Sequence, residues 1–230
     1  MKEACAVDTQ IAADVIVLAT PVDAVLAQLP HIAVRSGDAR LVMDLSSTKS
    51  SIVEAAQAVG LGKRFVGAHP LTGSHRTGWF ASREQMFDEA RVFLCPTRST
   101  DAGAMELAAL FWRGLRAGVE VMDAHQHDIQ MAWRSHLPHM VSTTLALVLR
   151  DAGIPRSALG PGGRDMTRLA GGAPSMWTPI AEDNEKALVA SIEAFERHLA
   201  TLKDSIRRGG RGAIDELLQH GCAWFDGEPA

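Results

Sequence analysis

The sequence predicts an α/β fold followed by an all-helical fold, and two observations carry this prediction. Short apolar runs typical of strands alternate with helical patterns over residues 1–124, whereas such runs are absent over residues 125–230. Strands separated by helices are typical of a doubly wound parallel sheet, which binds ligands at the carboxyl ends of its strands. We therefore predict a parallel-sheet domain over residues 1–124 and a helical domain over residues 125–230.

Five apolar, β-branched runs supply the predicted strands of the first domain, because a strand covered on both faces is apolar throughout. They span residues 14–20, 40–44, 64–67, 90–96 and 119–122. Helices are predicted between them over residues 22–29, 50–59 and 102–117, the last from the spacing of its apolar residues.

The second domain is predicted from two long helical patterns. The first covers residues 125–150 and is interrupted by Pro138, which removes a helical hydrogen bond and tends to kink the helix. The second covers residues 184–207, and a short helix follows over residues 214–224. A Gly- and Pro-rich connector over residues 153–179 separates the two long patterns.

Composition narrows the classes of function. A hydrophobic fraction of 47% fits a globular protein, and a net charge of −4 with a pI near 6.1 argues against a nucleic-acid surface. No run of 18 apolar residues indicates a membrane span. The 3 cysteines are far apart and odd in number, which indicates reduced thiols in a cytoplasmic protein, and the spacing of potential ligands favours no metal site.

A histidine after the third predicted strand is the first candidate for catalysis. His69 lies in the segment 67–73, a loop punctuated by glycine and proline. A neutral imidazole held there can accept a proton near neutral pH. A purely structural hydrogen bond is the alternative role for a loop histidine.

Polar residues after the two preceding strands are expected at the same edge of the sheet. Thr20 and Pro21 follow the first strand, and Ser47 and Lys49 follow the second. A hydroxyl, an ammonium and an imidazole around one cleft suit removal of a proton from an alcohol. Ser46 and Ser47 have an alternative role as a cap of the helix that begins near Ser50.

The helical domain adds candidates for substrate binding. His136 and His139 lie three apart and share one helix face, and the alternative is a polar stripe over a buried surface. Arg168 suits bidentate binding of a carboxylate, and Trp177 adds an apolar wall. A surface ion pair with Asp165 is the alternative role for Arg168.

One expected motif is absent from the sequence. A dinucleotide-binding domain begins with a strand, a G-x-G-x-x-G turn and a helix, with an acidic residue about 20 positions further on. Residues 160–163 are rich in glycine but follow no predicted strand. Either the first β-α-β unit has been lost or cut off, or the chain is not a complete dinucleotide-binding protein.

Five segments in this order resemble the prephenate/arogenate dehydrogenase family of tyrosine biosynthesis, from about residue 13 to residue 207. They are ADVIVLATPV at 13–22, MDLSSTK at 43–49, GAHPLTG at 67–73, SHLPH at 135–139, and DMTRL at 165–169 with Met176 and Trp177. The H-P-x-x-G piece and SHLPH are specific when both occur at this separation. The resemblance implies a partial Rossmann-like domain, then a helical dimerisation domain like the C-terminal part of 6-phosphogluconate dehydrogenase, and a homodimer.

The resemblance also implies an activity, the oxidative decarboxylation of prephenate or arogenate by NAD or NADP. His69 would accept the proton of the ring hydroxyl, and Ser47 would orient that hydroxyl and His69. The implied substrate-binding residues are Arg168, His136, His139 and Trp177, and the implied cofactor contacts are Thr20, Pro21 and Lys49.

Two departures from the family pattern leave alternatives open. The glycine-rich phosphate loop is absent, and His75 occupies a position that is often acidic in the family. A natural short form without dinucleotide binding would act as a ligand-binding or regulatory protein for prephenate-like acids, or as a cofactor-independent enzyme. A different member of the β-hydroxyacid or 6-phosphogluconate dehydrogenase superfamily is the remaining alternative.

Overall fold

A computed structural model describes residues 10–72, 82–208 and 211–227 of the chain. The predicted positions Gly73 and His75 lie outside these residues. The described part contains one sheet followed by a set of helices, so the predicted change from α/β to all-helical structure is confirmed.

The sheet has 5 strands in the order β1-β2-β3-β4-β5. The strands are β1 (Val15–Leu18), β2 (Leu41–Asp44), β3 (Phe65–Pro70), β4 (Arg91–Pro96) and β5 (Gly118–Val121). β1, β2 and β3 run parallel, so their carboxyl ends meet at one edge of the sheet. That edge receives the segments that follow β1 and β2.

One pairing departs from the predicted all-parallel sheet, because β4 pairs with β3 in the antiparallel sense, and β4 and β5 therefore run opposite to β1, β2 and β3. A parallel neighbour needs a crossover connection, usually a helix. Among the described residues between these strands, 71–72 and 82–90, there is no helix. β5 then pairs with β4 in parallel, across helix α3 (Ala102–Gly114).

β3 is also longer than predicted. His69 lies on the strand itself, opposite Phe93 of β4, and not in the loop after it. The strand ends at Pro70, which has no N–H to donate to a further rung.

Helices cover both faces of the sheet. Helices α1 (Val22–Arg35) and α2 (Ser50–Ala58) bury one core with residues such as Val25, Leu29 and Ile52. Helix α3 buries a second core on the other face, centred on Trp112. The predicted end of α1 at residue 29 is wrong, since the helix continues through Pro30 to bury Ile32.

The second half is helical throughout its described residues, apart from its loops. Its helices are α4 (Ala124–Met131), α5 (Leu137–Asp151), α6 (Pro161–Met166), α7 (Pro174–Asp183), α8 (Glu185–Arg208) and α9 (Arg211–Phe225). A π-helical turn, Ala132–His136, joins α4 to α5, and Pro138 falls in the first turn of α5, where a missing N–H costs little. The predicted connector 153–179 contains α6 and most of α7. No helix in the described ranges is both long and apolar enough to cross a membrane.

The two halves meet where α4 packs against α2 and β4. Helix α2 has no side-chain cap from its own N-cap residue, Lys49. The carboxylate of Asp128 on α4 caps it, because it accepts the backbone N–H groups of Lys49 and Ser50 at 2.8 Å each. The alternative role of Ser46 and Ser47 as the cap of this helix is therefore wrong.

Candidate functional site

The imidazole of His69 is held by a second histidine from the helical half. Its Nδ1 lies 2.9 Å from Nε2 of His127 on α4, and both rings are buried. The rings meet edge to face with centroids 5.0 Å apart. This contact leaves Nε2 of His69 without a hydrogen bond among the described residues.

His127 is held in turn by an acid. Its Nδ1 lies 2.8 Å from Oδ1 of Asp128. Burial acts to raise the pKa of Asp128, but hydrogen bonds from His127, Ser50 and the backbone of Lys49 outweigh burial and lower this pKa. Asp128 is therefore an anion at neutral pH, and a row of three side chains runs from the anion to His69.

Burial is the main reason that the pKa of His69 lies well below its usual value. The neighbouring His127, Lys49 and His136 lower this pKa further, and Asp128 opposes them. His69 is thus neutral at pH 7, which is the state that can accept a proton.

Lys49 has a different position from the one expected of a cofactor contact. Its side chain is fully buried, and its ammonium pairs with the buried carboxylate of Asp44 and donates to the carbonyl of Ala68 at 3.0 Å. Asp44 lies on β2 and Ala68 lies on β3, so the side chain of Lys49 links the two strands. This burial disagrees with the expected contact to a cofactor and gives Lys49 a role in fixing the strand that carries His69.

The loop after β2 presents polar atoms that lack partners. Ser47 is half-buried, and among the described residues it makes no hydrogen bond, to His69 or to any other residue. Buried atoms without a partner in the described structure include Oδ1 of Asp44 and the hydroxyls of Ser46 and Thr48. Buried polar atoms in native proteins are usually paired, so this loop is a place where a ligand or water completes the bonding.

Thr20 and Pro21 lie next to that loop. Both are exposed at the start of α1, just after β1. The loop is tied to β1 by the N–H of Leu45, which donates to the carbonyl of Leu18 at 2.9 Å. The structure therefore brings Thr20, Pro21 and the Ser47 loop to one edge of the sheet, as predicted from the strand order.

His136 lies behind the pair of His69 and His127. Its Nδ1 is 3.2 Å from Nδ2 of Asn184, an amide that also donates to the carbonyl of Asp128 at 2.8 Å. Because the amide donates, Nδ1 of His136 accepts and its Nε2 carries the proton, with no partner among the described residues. Burial lowers the pKa of His136 to about 4.

His139 and Trp177 form a stacked pair next to His136. Their ring centroids are 3.5 Å apart with planes 14° from parallel, and Trp177 meets His136 edge to face at 6.1 Å. His139 is buried, and burial lowers its pKa. The three aromatic rings thus form one wall, and the alternative of a polar stripe alone does not describe it.

Arg168 is exposed and forms no ion pair with Asp165 within the described structure, so the alternative surface pair is not made. It lines a cavity of about 910 Å³ between α5 and the connector, together with apolar residues such as Leu149 and Ile154. Among the described residues, no hydrogen bond joins the guanidinium of Arg168 to the histidines.

Sequence reasoning missed three residues of this cluster, His127, Asp128 and Asn184. Spacing gives no signal for His127, because His125 and His127 are two residues apart and do not share a helix face. The informative signal was instead the adjacent His127-Asp128 pair at the start of a helix, since an acid next to a histidine is a common way to fix a ring.

Comparison with known proteins places these residues in a family. Residues 3–121 match the nucleotide-binding domain of prephenate dehydrogenase, and residues 123–220 match its dimerization domain. A prephenate dehydrogenase of Lactococcus lactis is 32% identical over 216 residues, which cover 91% of this chain and 59% of that relative. The chain thus spans 59% of the length of this relative and of the prephenate dehydrogenase of Bacillus subtilis.

Solved structures similar to this chain come from the same family. The prephenate dehydrogenase of Aquifex aeolicus, in complex with hydroxyphenyl propionate and NAD+, superposes with a TM-score of 0.82 at 32% identity, covering 90% of this chain and 73% of that one. Synechocystis arogenate dehydrogenase has a TM-score of 0.78 at 30% identity, covering 93% and 78% of the two chains. From both domain matches and these relatives, we conclude that the chain belongs to the prephenate dehydrogenase family.

Proposed function

We propose that this chain carries out the NAD(P)-dependent oxidative decarboxylation of prephenate or arogenate, which yields 4-hydroxyphenylpyruvate from prephenate. The observation that carries the proposal is the buried, neutral His69, which lies at the edge of the sheet where parallel strands bind ligands. Its Nε2 is available to a substrate because Nδ1 faces His127.

His69 acts as the base for the ring hydroxyl. As the hydroxyl proton moves to the imidazole, the carbon that bears the hydroxyl gives up its hydride. The bond to the ring carboxylate then breaks, CO2 leaves, and the bonding electrons stay in the ring, which becomes aromatic. The proton held by His69 returns to the phenolate oxygen, so the reaction balances without net uptake of a proton.

The residues present fit the nicotinamide end of a dinucleotide. The hydroxyls of Ser46 and Thr48 are buried without a partner in the described structure, and Thr20 and Pro21 are exposed beside their loop. We assign the cofactor contact to Thr20 and Pro21, and no longer to Lys49. When bound there, NAD or NADP supplies the acceptor for the hydride.

We assign the remaining substrate contacts to the helical half and the β2 loop. Nε2 of His136 is a buried donor without a described partner, which suits a substrate carboxylate. His139 and Trp177 add an aromatic wall, Arg168 supplies a guanidinium for a second carboxylate, and Ser47 orients the hydroxyl.

We also propose that the chain forms a homodimer through its helical half and works in the cytoplasm. The described helices of that half leave large apolar side chains exposed, which favours burial against a second copy. They include Leu147, Val148, Val189, Leu199, Ile206, Leu218, Trp224 and Phe225.

The experiment uses the 230-residue chain with prephenate or arogenate and either NAD or NADP, and follows the absorbance of the reduced nicotinamide. We expect turnover with at least one pairing, and an aromatic product and CO2 in equal amounts. If calorimetry detects prephenate binding but neither nucleotide binds nor turns over, the chain is instead a ligand-binding protein, and the dehydrogenase proposal is wrong.

A further inference from the structure

We propose that His127 and Asp128 are positioning residues that fix the tautomer of His69, so that its Nε2 always presents a lone pair to the substrate hydroxyl. This inference rests on the proposed function, because it concerns the same base. It assigns a role to two side chains that the proposed reaction does not otherwise use.

The first step concerns Asp128. As an anion it only accepts hydrogen bonds, and both of its oxygens already accept backbone N–H groups, from Lys49 and Ser50. These bonds fix the carboxylate at the start of α2. The nitrogen of His127 that lies 2.8 Å from Oδ1 must therefore carry a proton.

The second step follows along the row of rings. A neutral imidazole with a proton on Nδ1 has a bare Nε2, so His127 offers an acceptor to His69. The 2.9 Å contact then requires that Nδ1 of His69 donates. With its proton on Nδ1, neutral His69 has its lone pair on Nε2.

The surroundings strengthen this arrangement. His127 is fully buried, and the ring of Phe93 meets it edge to face at 5.5 Å. Water is thus kept from the bonds of His127, and hydrogen bonds in such surroundings are stronger than in water. Without His127 the ring of His69 would populate both tautomers, and the form with a proton on Nε2 is unable to act as the base.

The same row assists once His69 has taken the substrate proton. The positive charge on His69 then faces the anion of Asp128, which favours that charge, whereas His127, Lys49 and His136 oppose it. The arrangement resembles catalytic triads, in which a carboxylate holds a histidine in one tautomer and stabilises its cation. Here Asp128 acts on His69 through His127.

Two substitutions of His127 separate positioning from packing. His127→Phe keeps an aromatic ring but offers no acceptor to His69, whereas His127→Gln can accept the Nδ1–H of His69 through its amide oxygen. We expect kcat to fall about 10- to 100-fold in His127→Phe with KM changed less than about twofold, and most of kcat to return in His127→Gln. His125→Phe, at an exposed position of the same helix, serves as the control.

The tautomer is measured directly by long-range 1H–15N spectra of the 15N-histidine-labelled chain near pH 7.5, with His69→Asn to assign the signal. We expect the proton of His69 on Nδ1 in the wild-type chain, and a mixture of tautomers in His127→Phe. A proton on Nε2 of His69 in the wild-type chain overturns the inference even if His127→Phe does not fold. Unchanged kcat in a folded His127→Phe overturns it too.

The positioning role and the proposed function can be tested independently of each other. If the chain oxidises prephenate while His69 carries its proton on Nε2, the positioning role is wrong and the proposed function stands. If the wild-type tautomer is as expected but no prephenate or arogenate is oxidised, the proposed function is wrong and the tautomer assignment stands.

Discussion

The imidazole of His139 lies flat on the indole of Trp177, with ring centroids 3.5 Å apart and planes 14° from parallel. The backbone of Gly172 runs against both rings. A Cβ placed on Gly172 would lie 2.5 Å from Cε1 of His139 and 2.7 Å from Nε1 of Trp177, distances that real side chains do not adopt. The stack therefore depends on a residue without a side chain at position 172.

Gly172→Ala is expected to push the two rings apart. The backbone at Gly172 has φ −66° and ψ 147°, which alanine adopts without strain, so the effect is one of packing. We expect a loss of stability of about 1–3 kcal/mol in chemical denaturation and an increase in KM for the substrate. Gly171→Ala is the matched control, since nothing lies within 4 Å of its added Cβ. Equal effects of the two substitutions would contradict the packing argument.

His69→Asn is expected to reduce turnover at least about a hundredfold, because it removes the base for the substrate hydroxyl. The rate of reduced nicotinamide formation under saturating substrate measures this loss. His125→Asn, on an exposed histidine, should retain the wild-type rate. A near-normal rate in His69→Asn would remove this residue from the proposed mechanism.

Lys49→Met is expected to destabilise the fold strongly. It removes the ammonium that pairs with Asp44, and the carboxylate is then left buried and uncompensated. Breaking such a pair costs about 3–5 kcal/mol, which urea denaturation will show as a lower midpoint. Glu120→Gln breaks the exposed Arg91–Glu120 pair and should cost less than about 1 kcal/mol. If both variants lose the same small amount, the Lys49–Asp44 pair contributes no more than a surface pair.

Stability is expected to fall as the pH is lowered from about 6.5 towards 4. The pKa of His136 is about 4 in the folded chain and near 6.5 in the unfolded chain. Between these pH values the unfolded chain binds a proton at His136 and the folded chain does not. The stabilisation is complete above pH 6.5, and about 3 kcal/mol of it is lost by pH 4. The lowered pKa of His69 acts in the same direction.

The comparison that isolates this effect is His136→Asn, whose amide oxygen can still accept from Asn184. Between pH 7 and pH 5 the wild type should lose roughly 2 kcal/mol more than this variant, measured by urea denaturation at each pH. His31→Asn, at an exposed histidine, should keep the wild-type dependence. Parallel pH curves for the wild type and His136→Asn would refute the assignment.

Leu218→Glu is expected to dissociate the proposed dimer. Leu218 lies on α9 and is 58% exposed in the single chain, and a carboxylate there cannot be buried against a second copy without a large cost. Sedimentation equilibrium should give a dimer for the wild type and a monomer for the variant. Val34→Glu, at an 80% exposed site on α1, is the control and should remain dimeric. A wild-type monomer at all concentrations would rule out the dimer.

Local patterns in the sequence were sufficient for most of the fold. β1 and β2 are short, apolar and β-branched, and the structure places them close to the predicted positions. The direction of β4 could not be predicted, since it depends on the path of the connection and not on the residues of the strand. Helix α1 continues past its predicted end because burial of Ile32 outweighs the local cost of Pro30.

Only those residues of the candidate site that belong to a local sequence motif could be predicted. His69, His136 and His139 are marked by neighbouring prolines and by regular spacing. His127 and Asn184 are not, because their partners lie 58 and 56 residues away in the chain. Long-range contacts of this kind come from the packing of α4 between the sheet and α8, which no local pattern encodes.

The bonds of Asp128 also couple the chemistry to the mutual orientation of the two halves. One carboxylate is fastened to the first residues of α2 in the sheet half, while its neighbour His127 supports the base from α4 in the helical half. Any hinge rotation that draws α4 away from α2 uncaps that helix and releases His69 in the same movement. The alignment of His69 thus depends on contacts between the two halves that lie outside the residues assigned to the substrate.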